Sequence, residues 1–318
     1  LKSRRSNLNR ANQVVLLSIG VNVFETVMLG IAAWMTRSAG LRAQTADNVS
    51  ELAVCVFLLF GLLSGRKESD DSHPLGYGRE RFFWSLFASL GIFVGGGGLA
   101  LDGAVRSALS PARVADYPIA YLALFVTLTL DVLSWFVSIR PLRLSAAERG
   151  LSVRAHLLRN SDPALTTIVL SGACAVIGGL VATAGLLFCE ILGSSWPDTV
   201  ASAMIGLLLL ATSGFLLHVN RELLTGRGVA PSTIREMRKL IAAQFGVQHV
   251  PDLFGVVVGP ASIIVDGDIT FNDELSVTEV EAAIQTCSAA LRKRWPAIEY
   301  VYLTPVAVAR PRRVVRSP

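Results

Sequence analysis

Apolar residues gather into six long runs: Val14–Trp34, about Thr45–Leu63, Phe82–Leu101, Pro118–Ile139, Pro163–Phe188 and Val200–Leu217. Each is near the ~20 residues that a helix needs to cross a ~30 Å hydrocarbon layer. Within lipid the backbone has to satisfy its own hydrogen bonds, so each run is predicted to be a transmembrane helix. The period-two alternation of a barrel strand is absent.

After Leu217 the pattern changes. Ser232–Phe245 is predicted to be an amphipathic helix, with Ser232 as N-cap and Ile234, Met237, Leu240 and Ile241 on one face. Two β-like runs follow, Asp252–Val258 and Ser262–Phe271, divided by the turn residues Gly259 and Pro260. Val277–Trp295 is predicted to be a second helix, capped by Ser276 with Glu279 three residues on, and Glu299–Leu303 a last strand. The order αββαβ predicts a small α+β domain of ferredoxin-like type, with helices on one face of a sheet. The chain is therefore expected to comprise a six-helix α-helical membrane domain over residues 1–218, an αββαβ domain over 219–306 and a basic tail, predicted disordered, over 307–318.

Composition agrees. Of 318 residues, 52% are hydrophobic and 17% charged, against about 25% charged in a soluble domain. Lys and Arg fix the expected orientation. Thirteen flank the N-terminal, 2–3 and 4–5 segments (Lys2, Arg4, Arg5, Arg10; Arg66, Lys67, Arg79, Arg81; Arg140, Arg143, Arg149, Arg154, Arg159), against four on the other side (Arg37, Arg42, Arg106, Arg113). Both termini are expected to be cytoplasmic. The net charge of +5 thus serves topology rather than nucleic acid, and Arg310, Arg312, Arg313 and Arg316 form a tail suited to anionic lipid. The four cysteines show no CxxC spacing, so neither a disulfide framework nor a zinc knuckle is expected. The first apolar run is full length and lacks a small-residue cleavage pattern, so no cleavable signal is expected; a start at Leu1 leaves room for residues ahead of it.

A carboxylate inside a membrane helix costs roughly 2.5–3.5 kcal/mol on insertion scales, so each one is a functional candidate. Asp47 and Glu51 are four apart, on one helical face, and so spaced to hold one divalent cation. The alternative is that Asp47 and Asn48 cap helix two at the outer interface. Asp131 falls thirteen residues into helix four, suited to carrying a proton or to a hydrogen bond with a neighbouring helix, such as one through Asn22. Glu25 and Asp102 read as structural. The small residues Gly95–Gly98 and the run Ser171–Ala175 permit close helix contact.

The loop after helix two reads Asp70-Asp71-Ser72-His73-Pro74-Leu75-Gly76-Tyr77-Gly78-Arg79-Glu80-Arg81. It resembles the HPxGxGRER segment of the cation diffusion facilitator (cation efflux) family, in particular a bacterial branch similar to animal zinc transporter nine. Gly91-Ile92-Phe93 resembles that branch's helix three, Ser161-Asp162-Pro163 its (K/R)DP start of helix five, and Trp196-Pro197-Asp198 its NPxxD start of helix six. Arg221–Gly226 and Gly259-Pro260 fit the link to, and the turn within, its cytoplasmic domain.

The resemblance implies a homodimeric antiporter in the bacterial plasma membrane that exports a divalent metal cation, commonly zinc, against protons, and that has no resident cofactor. Its helix-two metal pattern falls on Asp47 and Glu51, and the branch's helix-four acid on Asp131. Helix five departs from it. Where the branch has Leu-Glu-Asp-Ser/Thr-Ala-Ala, this chain has Leu170-Ser171-Gly172-Ala173-Cys174-Ala175, which leaves Ser171 and Cys174 as weaker metal candidates. Asp70 and His73 form another weak pair on the loop, and His249 stands alone in the C-terminal domain.

Two functions fit. One is export of Zn, Mn or Fe through a remodelled site, and oxygen ligation by Asp47, Glu51 and Asp131 leans toward Mn²⁺ over Zn²⁺. The other is a degenerate, non-transporting scaffold or regulatory subunit. An enzyme is not expected, since no Ser–His–Asp order, HExxH or phosphate-cradling loop is suitably placed.

Overall fold

The computed structural model describes residues 2–67, 69–110, 114–148, 163–260 and 262–307. Among these, six helices are long and apolar enough to cross a membrane: α1 (Lys2–Thr36, apolar over Ile19–Thr36), α2 (Ala39–Ser64), α3 (Glu80–Leu109), α4 (Tyr117–Glu148), α5 (Pro163–Leu192) and α6 (Trp196–Leu224). The protein is an integral membrane protein. Large apolar side chains on these helices are open rather than covered, with Trp34 82%, Phe125 70% and Val137 70% exposed, as a lipid-facing surface requires. Leu29, Leu41, Ile92, Leu124, Leu186 and Leu209 fill the interior.

All six expected helices form, but they run past the hydropathy boundaries. The difference matters most in α2, which starts at Ala39 rather than near Thr45. Its start is set by caps that a hydropathy window does not detect. Ser38 Oγ accepts from the Leu41 amide at 3.1 Å, and Asp198, from the first turn of α6, accepts from the Ser38 hydroxyl at 2.8 Å, the Gly40 amide at 2.9 Å and the Ala39 amide. Gly40 is required here, because a Cβ would stand 2.7 Å from Asp198 Oδ1. Asp47 therefore lies about two turns inside the helix, and the alternative of a capping role for it is overturned.

The glycine run of α3 winds as a π-helix over Ile92–Gly98. A Cβ on Gly95 would meet Ser50 Oγ of α2 at 2.9 Å, and one on Gly97 would meet the Leu210 side chain of α6 at 2.6 Å, so these glycines admit two neighbouring helices at once. In α5 a Cβ on Gly172 would meet Trp135 of α4 at 3.3 Å, and one on Gly178 would meet Gln44 of α2 at 3.0 Å.

A second compact unit comprises 69–79 and 222–307 of the described residues. It contains α7 (Pro231–Ala242), β1 (Val247–Gly259), β2 (Ser262–Phe271), α8 (Val277–Arg294) and β3 (Ile298–Pro305). The sheet order is β1-β2-β3, with β1 antiparallel and β3 parallel to β2, and α8 makes the crossover. Met237, Ile241, Val265, Ile269, Cys287 and Leu291 form its core. The expected box at α8 is present, Ser276 and Glu279 each bonding the other's backbone. Ser232, by contrast, is not the cap of α7: Pro231 takes the first helical position, where its fixed φ suits the helix and its missing N–H costs nothing. Strand β1 starts five residues before the expected Asp252, and a register shift between His249 and Asp252 accommodates Pro251, which broke the pattern.

Arg113, Arg149, Arg154, Arg159, Ser161, Asp162 and the tail arginines Arg310, Arg312, Arg313 and Arg316 lie outside the described residues, as do the side chains of Lys2, Arg4, Arg5 and Arg10.

Replacing Asp198 with Ala strips the start of α2 of three hydrogen bonds. The expected cost is about 2 kcal/mol, read as a lower melting temperature in detergent, with Asp198→Asn between Ala and wild type.

Candidate metal-transport site

On α2 the residues Gln44, Asp47, Asn48, Glu51 and Cys55 follow a 3–4 spacing and form one polar stripe. Gln44, Asp47 and Asn48 are at most 2% exposed, and Glu51 is partly buried. The stripe is held in depth by neighbouring helices. Gln44 Nε2 donates to the Ala175 carbonyl of α5 at 3.4 Å, and Asn22 Nδ2 of α1 reaches Cys55 Sγ at 3.6 Å.

Three helices bring acids to this stripe. Glu51 lies within electrostatic reach of Asp47, Asp131 and Glu25. Asp131 also acts on Asp47 and on Glu25. Glu25 of α1 is 2% exposed and Asp131 of α4 is 6% exposed. Among the described residues, Glu25 Oε1, Asp47 Oδ2 and Asp131 Oδ2 have no hydrogen-bond partner, and neither does either amide atom of Asn48. No Lys, Arg or His of the described residues is buried with them. The hydrogen bond from Asn22 to Asp131 is not formed, because Asn22 turns to Cys55. Glu25 is the residue that the sequence undervalued: as a single acid on α1 it had no partner in the chain pattern, and only the packing of α1 against both α2 and α4 brings it to the others.

Helix α5 contributes Cys174, which feels the charges of Asp47 and Glu51 and shares a 3.0 Å hydrogen bond with Thr212 of α6. Ser171 spends its hydroxyl on the Ile168 carbonyl at 3.3 Å. Asp102 is an exposed ion pair with Arg106 at 2.7 Å. Among the described residues no three His, Cys, Asp or Glu side chains stand close enough together to hold a metal ion. The acids face a common region at electrostatic rather than ligating distance.

The Asp70–His73 pair is arranged otherwise. Asp70 Oδ1 accepts from the His73 amide at 2.7 Å and the Ser72 amide at 3.0 Å, while Oδ2 accepts from the Tyr77 hydroxyl at 2.8 Å. The His73 ring lies 4.1 Å from that of Tyr77. Gly76 takes φ +72°, and a Cβ on Gly78 would come within 3.2 Å of Gly259 in the β1–β2 turn. Both Asp70 oxygens are thus committed to folding the loop.

Comparison with known proteins places these observations. Residues 15–225 match the profile of the cation efflux transmembrane domain. Metal tolerance protein C4 of Arabidopsis thaliana is 28% identical over 244 residues, 77% of this chain and 53% of that protein. The human mitochondrial proton-coupled zinc antiporter SLC30A9 is 26% identical over 260 residues, 82% of this chain and 46% of that protein. The chain thus spans about half the length of these two relatives. The manganese efflux system protein MneS of Bacillus subtilis is 24% identical over 276 residues, 87% of this chain and 89% of that protein.

The Tyr77 hydroxyl, then the His73 amide, hold the Asp70 carboxyl below the usual carboxylate range. The folded loop therefore prefers the ionised form: its contribution is complete above the ordinary value of about 3.9 and is lost as pH falls through the lowered one. Tyr77→Phe removes the largest cause, so a carboxyl-carbon NMR titration is expected to show Asp70 moving up toward that ordinary value. An unchanged midpoint would show that the hydroxyl does not act on Asp70.

Proposed function

Because the chain belongs to the cation efflux family, we propose that it exports a divalent metal cation in exchange for protons, using Asp47, Glu51, Asp131 and Glu25. One observation carries this reading: four acids from α1, α2 and α4 share a region with no buried basic side chain among the described residues. Ionised together in a low dielectric, they would repel strongly. Their charge is relieved by a divalent cation or by protons, and alternation between the two is antiport. Sequence relatives named for proton-coupled zinc antiport and for manganese efflux support the class of cargo. Function as a homodimer with both termini cytoplasmic, as the family resemblance and the charge distribution imply, belongs to the same proposal.

The donors are carboxylates, with the Asn48 amide oxygen on the same stripe. Such a set favours harder ions, so Mn²⁺ is proposed ahead of Zn²⁺. The two soft donors near the acids are both engaged, the Cys174 thiol with Thr212 and the Cys55 sulfur with the Asn22 amide. In proteoliposomes under an imposed pH gradient, Mn²⁺ uptake is expected to exceed Zn²⁺ uptake. Cys174→Ser should leave Mn²⁺ uptake within about twofold of wild type, whereas a collapse of uptake would make the thiol a ligand.

A second reading, a scaffold that kept the fold and lost transport, has its own support in the absence of assembled donors among the described residues and in the neutral Ser171 and Cys174 on α5. The two readings separate in one assay. For an exchanger, Asp47→Ala and Glu51→Ala each lower metal uptake by at least about tenfold, the scale of losing a metal-site group, and Glu25→Gln does so without altering side-chain size. For a scaffold, no metal is transported and none binds stoichiometrically to the wild-type protein.

A further inference from the structure

The C-terminal unit carries a groove of about 650 Å³ between α7 and β1. Arg235, Arg238 and Lys239 line it, at i, i+3 and i+4 on one face of α7. The side chains of these three residues make no ion pair or hydrogen bond among the described residues. Glu236, the sole acid of α7, is not part of the lining. Beneath the cations the floor is apolar, formed in part by Val229, Ile234 and Phe254, the last 46% exposed. Three like charges on one face repel one another, and the apolar floor is left open to water. Both costs are relieved by the same kind of ligand, one with an anionic head and a carbon body.

The chain path points to the source of that ligand. Strand β1 pairs with the segment that follows α6: the Val229 amide donates to the Gly255 carbonyl at 2.8 Å, and the Val257 amide to the Arg227 carbonyl at 3.0 Å. The groove wall therefore begins at Gly228, four residues beyond Leu224 at the end of α6. Four residues span at most about 14 Å. A basic, half-apolar groove that follows a membrane helix along the chain has the chemistry of a lipid-headgroup site.

We propose that the α7–β1 groove binds an anionic phospholipid, with the phosphodiester between Arg235, Arg238 and Lys239 and the glycerol and upper acyl carbons against Ile234 and Phe254. A free phosphate satisfies the three cations but leaves the floor wet, so the lipid is the better fit. This site is separate from the transport residues and does not depend on the ion carried.

The test is native mass spectrometry of the full-length protein in detergent, titrated with short-chain phosphatidylglycerol, phosphatidylcholine or inorganic phosphate. The wild-type protein is expected to retain phosphatidylglycerol in preference to phosphatidylcholine, with inorganic phosphate failing to displace it at equal concentration. The triple variant R235Q/R238Q/K239Q is expected to lose one bound phosphatidylglycerol, its apparent affinity falling about 100-fold for three basic side chains near an anionic surface. R235K/R238K should retain it, and Phe254→Ser should weaken it without changing the charge. Equal lipid binding by wild type and triple variant overturns the proposal. So does displacement by inorganic phosphate, which would make the groove a simple anion site, or equal retention of phosphatidylcholine.

Discussion

The start of α2 is held by a carboxylate from another helix, and the placement of Asp47 and Glu51 follows from that bond set. A helix terminus in or near lipid leaves amide groups with no water to satisfy them. Asp198 meets that need for Ala39 and Gly40 and takes the Ser38 hydroxyl as well. It thereby fixes α2 in depth and rotation against α6. Once the first turn is set, the helical repeat fixes Asp47 and Glu51 without further adjustment. Close packing keeps them there: Gly40 lets Asp198 approach, Gly178 faces Gln44, and Gly95 and Gly96 admit Ser50.

The same frame explains how the charge of the site is distributed. In the family pattern that the sequence resembles, acids on helices two and five face each other. In this chain α5 offers Cys174 and Ser171, both engaged in neutral hydrogen bonds, while acids stand on α1 and α4. The negative region has shifted from the α2–α5 face toward the α1–α2–α4 face. Since α1 packs against both α2 and α4, a cation held as proposed by Glu51, Glu25 and Asp131 would tie together helices other than those of the family pattern, and α1 would then have to move with α2 and α4.

Much of this was legible in the sequence, for identifiable physical reasons. Six apolar runs are a strong signal because lipid imposes length and composition together, and the αββαβ order followed from period changes and a true capping box at Ser276. Asp47, Glu51 and Asp131 stood out because an acid in an apolar run is costly wherever the run packs. What the sequence did not reveal depended on partners distant in the chain. The cap on α2 comes from a residue 160 positions away from Ser38, and the weight of Glu25 arises only when α1 meets α2 and α4. The start of α7 was misjudged by a local rule: Ser232 looked like a cap, but Pro231 fits the first helical position better.

The loop between α2 and α3 shows how residues of a motif that suggests metal chemistry also serve folding. His73 and Asp70 are near enough to suggest a binding pair, at 3.7 Å between Nδ1 and Oδ1. The Asp70 carboxylate already accepts from two amides and the Tyr77 hydroxyl, which occupies three of its roughly four lone-pair sites in holding the loop. The glycines of the motif have their own tasks. Gly76 supplies a left-handed residue, and Gly78 allows the backbone to lie against Gly259 with no room for a side chain. Asp70, Tyr77, Gly76 and Gly78 are thus accounted for by the geometry of the turn and its rest on the β1–β2 hairpin. The acids of the membrane helices differ: Glu25, Asp47 and Asp131 each keep a buried oxygen without a hydrogen-bond partner among the described residues.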